Sequence, residues 1–319
     1  MLNYVIMRRI ISSFLIIFAL SASPAYPFWV WTPKTGKWVN PKNVAKESPK
    51  EQFDYALSFY KENKLEDALR EFKKLLKAYP KSFEASESQY YLGLIEEARG
   101  NLYEAYQAYQ KLIDKYPFSE RIREVVEREY DIADKFMSGY KRKALGVTLP
   151  VENPAVEIYA KVVENSTYGP LAPKAQYKLG LVLKGLQRYY EAEDAFNKVI
   201  SNYPDSEWVE PAQFQIASCR AALSRSPDYD QGAAAEAKQK FEDFVREHPD
   251  ATLSQEAEEN IARLNEKEAE ANFNTARFYE KQKAYKAAAI YYGYVIDNYP
   301  KSIWAARSLA KIKELEEEK

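Results

Sequence analysis

The chain has 319 residues, with 46 Lys and Arg against 47 Asp and Glu, a formal net charge of −1. Both signs are mixed along it, which leaves no basic stripe for nucleic acid. A single cysteine, Cys219, and a single histidine, His248, exclude an intrachain disulfide and a Cys/His zinc site, and they remove most nucleophile–base arrangements. No phosphate loop, dinucleotide fingerprint or H-E-x-x-H pair occurs, and carboxylate neighbours such as Glu96-Glu97 and Glu258-Glu259 sit among Lys and Arg as solvated faces. The expectation is a non-enzyme with no catalytic residue, no metal and no cofactor. Cys219 reads as a buried inert thiol and His248 as a helix-end packing residue.

Residues 1–25 read as a secretory signal. Arg8-Arg9 is its basic region, Ile10–Leu20 its apolar stretch and Ser23-Pro24-Ala25 its small-residue cleavage site. Eleven apolar-rich residues are too few to span a bilayer, and an uncleaved anchor is the alternative. Residues 26–48 form a Trp/Pro-rich segment in which Trp29, Trp31 and Trp38 flank Pro33-Lys34-Thr35-Gly36, the pattern of a small hairpin. An N-terminal cap over the first repeat is the preferred reading, ahead of a docking motif or an aromatic contact with a membrane interface.

From residue 49 to 319 one theme repeats, and its most legible copy is Pro173–Ser206. Leu179, Gly180 and Leu183 lie on one helix face, and Ala192, Phe196 and Val199 on a second. Tyr203-Pro204 then stops the second helix, because proline lacks an N–H and restricts the residue before it. The refrain returns at Tyr79-Pro80, Tyr116-Pro117, His248-Pro249 and Tyr299-Pro300. Small/aromatic pairs align at Ala68/Phe72, Ala105/Tyr109, Ala192/Phe196, Ala237/Phe241 and Ala288/Tyr292. First helices align at Tyr55-Ala56, Leu92-Gly93, Ile132-Ala133, Leu179-Gly180, Ile216-Ala217 and Thr275-Ala276. Such a unit resembles the tetratricopeptide (TPR) repeat. The expected fold is all-α, a TPR-like superhelical solenoid of about six helix pairs with a short N-terminal Trp-rich hairpin.

Departures from the theme are equally readable. Repeat three holds an insertion, Ser138–Lys143 and Gly146–Pro150, which predicts an extended first helix followed by a loop. Repeat five carries a loop around Ser224–Gly232. Asp250–Ala271 reads as a charged helix placed before repeat six, and Ile303–Glu317 as a final helix.

In TPR folds the first helices line the concave side, often through position five, which here holds Phe53, Tyr90, Tyr130, Tyr177, Phe214 and Phe273. A ladder of rings suits an extended, partly apolar peptide. Periodic aromatics are usually core, however, so packing is the preferred reading. Tyr60, Glu97, Lys184, Arg277 and Glu280 are then better candidates for exposed partner contacts.

Four stretches resemble a narrower family: Ala56–Tyr79, Phe136–Leu145, Asn165–Gly180 and Ala276–Ser302 are similar to the BamD-like subunits of the outer-membrane β-barrel assembly machinery. That resemblance implies a periplasmic scaffold at the outer membrane. Its partners would be β-barrel assembly subunits or other envelope proteins, bound at about Asp250–Leu315, and unfolded outer-membrane protein segments, bound at about Phe53–Tyr116. A general envelope adaptor for peptidoglycan-associated or transport proteins is the alternative. Family members carry a lipidated cysteine after the signal, whereas Ser21–Pro27 has none, so peripheral membrane association without a lipid anchor is expected.

Overall fold

A computed structural model describes residues 29–32, 36–40, 44–141, 143–144, 147–148, 153–224 and 231–317. The signal, the hairpin tip at residues 33–35 and most of the repeat-five loop lie outside the described residues.

The chain divides into two compact units, residues 1–95 and 96–319. The first opens with an antiparallel hairpin, β1 (Val30–Thr32) and β2 (Lys37–Val39), in which Trp31 pairs with Trp38. Helices α1 (Pro49–Lys61) and α2 (Leu65–Ala78) follow, then α3 (Phe83–Ala98), whose last turn enters the second unit. Ser48 caps α1 by accepting from the Glu51 N–H at 3.2 Å, with Pro49 in the first turn, where its missing N–H is harmless.

The second unit continues with α4 (Leu102–Lys115), α5 (Ile122–Met137), α6 (Ala155–Asn165), α7 (Ala172–Gly185) and α8 (Tyr189–Asn202). It ends with α9 (Val209–Leu223), α10 (Gln231–Glu247), α11 (Thr252–Lys281), α12 (Tyr285–Asn298) and α13 (Ile303–Glu317). From α4 onward each helix packs chiefly on the one before it and the one after it, as a repeat array requires.

The repeated residues account for both the turns and the stops. Ala56, Ala133, Ala217 and Ala276 of the first helices are fully buried, as are Ala68/Phe72, Ala105/Tyr109, Ala192/Phe196, Ala237/Phe241 and Ala288/Tyr292 of the second helices. In the irregular third repeat Ala155/Tyr159 takes the same place. A small residue lets two helices cross closely, and the ring fills the space beside it; burying each ring contributes roughly 1.5–3 kcal/mol.

Tyr79, Tyr116, Tyr203 and Tyr299 all leave the helix at φ near −130°, each N–H still bonded to the carbonyl four residues back. Three residues on, Ser82, Ser119, Ser206 and Ser302 each donate an N–H back to that tyrosine's carbonyl and turn the chain into the next helix. His248 makes the same 2.9 Å bond to the Phe244 carbonyl, and its ring takes a 2.7 Å bond with Gln213 and packs tilted against Phe244. It is a helix-end packing residue.

The turns inside the repeats hold a residue in the left-handed region: Asn63, Gly100, Gly139, Gln187 and Lys283. At each of these turns that residue's N–H bonds back three residues and the next residue's N–H bonds back five, a helix stop that favours glycine. Lys283, exposed at φ 61°, bears the left-handed strain without that advantage. Lys283→Gly is therefore expected to stabilise the fold by about 0.5–1 kcal/mol, read as a higher urea midpoint.

Two expectations need correction. The first helix of repeat three is not extended: α5 stops at Met137, where Gly139 at φ 99° turns the chain. Tyr140 pins the turn by donating to the Gly100 carbonyl at 2.6 Å and packing on Phe136. A two-residue ladder, β3 (Lys143–Ala144) with β4 (Val147–Thr148), follows. Nor is Asp250–Ala271 a separate helix. With no Gly or Pro between Thr252 and Lys281, α11 runs unbroken for 30 residues and becomes the first helix of repeat six.

Candidate functional site

The position-five rings lie between helices rather than open to solvent. Tyr90, Tyr130, Tyr177, Phe214 and Phe273 are buried, and Phe53 is half-buried. In five repeats the ring meets the aromatic of its own second helix: Phe53–Phe72 at 5.7 Å, Tyr130–Tyr159 at 5.8 Å, Tyr177–Phe196 at 5.5 Å, Phe214–Phe241 at 5.6 Å and Phe273–Tyr292 at 5.3 Å. Tyr90 packs on Tyr91. Two rings are closed from the following repeat as well, Tyr177 by Trp208 and Phe273 by Trp304, each at 5.0 Å. Both tryptophans stand four residues after a Tyr-Pro proline. That spacing was available in the sequence as the signal that the ladder is covered.

Several expected partner contacts are engaged within the protein. Tyr109 donates to Glu97 at 2.7 Å and Tyr292 to Glu280 at 2.5 Å. These two pairs share a 12-residue interval, whereas Tyr159 of the irregular third repeat donates to Asp134, 25 residues back. Burial and that carboxylate both push the Tyr292 hydroxyl above its ordinary pKa. Lys184 donates to Gln215 and Ser218, each at 2.6 Å. Tyr60 is half-buried with its ring 5.1 Å from Tyr91.

Arg277 is different. It is exposed and lines a cleft of about 520 Å³ with Phe273, Glu280, Trp304, Arg307, Lys311 and Glu314. Arg307 lies 4.6 Å over the Trp304 ring, and Lys311 is 3.4 Å from Glu280. The cleft thus has an aromatic floor and a rim richer in cations than in acids, a lining that suits a polar or acidic peptide segment.

Between the two helices that line the cleft in sequence, α12 is apolar on two faces. Ala288, Tyr292 and Val295 are buried, while Ile290 is 72 % and Tyr294 46 % exposed on the opposite face. Phe278, Tyr285, Ile303 and Leu309 are exposed nearby in sequence. A helix apolar all round is normally covered on all sides. The run Ala287–Ile296 (AAAIYYGYVI) carried this signal, but reading it for register alone passed over its outer face.

Cys219 is fully buried, and burial pushes its thiol up to about 11. Among the described residues no group of three or more His, Cys, Asp or Glu is placed to hold a metal ion.

Comparison with known proteins matches residues 225–318 to the YfiO family, described as an outer membrane lipoprotein, and residues 53–120 and 174–206 to tetratricopeptide repeats. One relative is the outer membrane protein assembly factor BamD of Rickettsia prowazekii (strain Madrid E). It is 25% identical over 160 residues, covering 50% of this chain and 64% of the relative, so the chain spans less than two thirds of that protein's length. Similar solved structures include the C-terminal part of a TPR repeat-containing protein from Cytophaga hutchinsonii (20% identity, 82% of this chain and 88% of that one, TM-score 0.36). YrrB, a TPR protein with an unusual peptide-binding site, is another (17% identity, 67% and 93% covered, TM-score 0.34). The chain is similar to BamD-like tetratricopeptide proteins and has an all-α repeat fold, the narrower likeness lying in its C-terminal third.

Proposed function

We propose that this BamD-like chain is a non-enzymatic, exported scaffold that works in the periplasm on outer-membrane β-barrel protein assembly. In this reading α11–α13 dock a barrel-inserting subunit, and the repeats of residues 53–116 meet unfolded barrel precursors. The observation that carries it is a coincidence of place. The stretch similar to the outer-membrane lipoprotein family, residues 225–318, holds both the Arg277/Trp304 cleft and the uncovered Ile290/Tyr294 face. An exposed apolar face of this kind marks a protein docking surface.

Affinity capture of the tagged full-length chain from crosslinked envelopes of its own organism tests the reading. A large barrel protein is expected in the eluate, reduced at least tenfold by Ile290→Asp combined with Tyr294→Asp. Both side chains are exposed, and an unchanged far-ultraviolet melting curve checks that the variant keeps its fold. Recovery of cell-wall or transport proteins with no barrel subunit would replace this reading with a general envelope adaptor.

A further inference from the structure

The tryptophan hairpin has no task in the scaffold reading, and its geometry is unusual for a surface ribbon. Trp31 and Trp38 are direct cross-strand partners with rings edge-on at 5.9 Å. Trp29 stands immediately before β1, and continuing the strand's alternation by one residue sets it on the same side as Trp31. All three are exposed, at 54 %, 48 % and 62 %. The hairpin therefore does not seal its indoles as a cap would. The segment just after it is held to the first unit: the Lys46 N–H bonds Gln52 at 2.9 Å, the Tyr79 hydroxyl donates to the Lys46 carbonyl at 2.6 Å, and the Lys46 ammonium lies 4.3 Å over Tyr55.

Charge identifies what such a face meets. Between Tyr26 and Lys46 the sequence carries Lys34, Lys37, Lys42 and Lys46 and no acidic residue; all 47 Asp and Glu of the chain lie at or beyond Glu47. A cationic, acid-free segment presenting three indoles on one face matches an anionic phospholipid surface. Indoles settle at headgroup depth, where the ring is desolvated while its N–H still finds an acceptor, and lysines gain from the negative surface potential. Strands of three residues are far too short to cross a bilayer, so the contact lies in the interface plane. A purely apolar protein groove would take the indoles but gain nothing from the lysines. We propose that the Trp29–Trp31–Trp38 face lays this hairpin on an anionic phospholipid membrane, indoles at headgroup level.

The test sediments the full-length chain with vesicles of phosphatidylethanolamine and phosphatidylglycerol, and separately with phosphatidylcholine alone. The wild type is expected to bind the anionic vesicles at least tenfold better than the Trp29→Ala/Trp31→Ala/Trp38→Ala variant, with its tryptophan emission quenched by brominated acyl chains. Raising salt from about 0.05 to about 0.5 M should weaken that binding about tenfold, because screening shortens the reach of the lysines. The indoles are exposed, so the variant should retain the wild-type far-ultraviolet melting curve; the single variants Trp29→Ala and Trp38→Ala should lose binding in part. Equal binding by wild type and triple variant, no binding by either, or equal affinity for phosphatidylcholine would overturn the proposal. So would protection of the indoles by an envelope protein with no response to vesicles. The vesicles contain no protein, so failure here leaves the scaffold reading untouched, and failure of envelope capture leaves this one untouched.

Discussion

Gly180→Ala is expected to destabilise the fold by about 1–3 kcal/mol, although it adds a single methyl group to a helix that alanine would otherwise favour. A Cβ at position 180 would stand 2.5–2.8 Å from three atoms of the Phe196 ring, closer than any real carbon contact. Phe196 is fully buried at the centre of the cluster formed by Tyr177, Ala192, Val199 and Ile216, so its ring has nowhere to go. Phe196→Ala alone should cost about 3–5 kcal/mol through lost burial and the cavity left behind. The double variant should cost less than the sum by about 1 kcal/mol or more, because removing the ring makes room for the methyl. Urea unfolding of the four proteins measures this, and strict additivity would mean that the α7–α8 crossing does not depend on this contact.

Glu129→Gln is expected to stabilise the protein at alkaline pH by about 2–4 kcal/mol and to change little at pH 4. The residue before each position-five ring is Gln in four repeats: Gln52, Gln89, Gln176 and Gln213. Gln52 and Gln176 donate their amides at 3.0 Å to the carbonyls of Glu71 and Ala195, 19 residues on. Repeat three has Glu129 there instead, fully buried, and the carbonyl in register beyond the insertion is that of Ile158. An ionised carboxylate has nothing to donate to a carbonyl. Its Oε1 has no hydrogen-bond partner among the described residues, and Oε2 receives one bond from Asn165 at 3.3 Å.

Burial therefore pushes the Glu129 carboxyl up to about 8; the Asn165 bond opposes the shift, Asp114 adds to it and Lys161 offsets part of it. Because the folded value lies above the unfolded one, the folded state binds more protons between about 4.5 and about 8. Stability falls as pH rises through that window and levels off above it. The Gln variant lacks this dependence and can donate to the carbonyl as Gln52 and Gln176 do. Urea midpoints at pH 4, 6 and 8.5 check it: the gap between variant and wild type should open with pH, and a gap that stays constant would contradict the assignment.

The repeat frame was legible because three independent physical signals coincide in it. Small residues mark the crossings, rings fill the space beside them, and Tyr-Pro stops the second helix. Ala192, Phe196 and Pro204 each constrain the chain without help from distant residues. What stayed hidden depends on neighbours. Tyr177 and Phe273 read as core ahead of groove from periodicity alone, and only Trp208 and Trp304, closing over them from the next repeat, decide it. Gln187 and Lys283 give no sign of a left-handed backbone, since glycine is the usual marker of that turn. The unbroken α11 was obscured because repeat counting places a boundary inside a stretch with no helix breaker. Ile290 and Tyr294 were missed for a related reason: a helix apolar on two faces shows its register only through the buried one.

The central claim is that the C-terminal helices are a docking surface for outer-membrane assembly, and photocrosslinking in living cells tests it most directly. A photoreactive amino acid at position 290 or 294 is expected to capture a barrel-type outer-membrane protein, while the same group at exposed Lys198 on α8 captures none. No adduct from 290 or 294, or equal adducts from all three positions, would contradict the account and leave the molecule a tetratricopeptide scaffold whose docking face lies elsewhere.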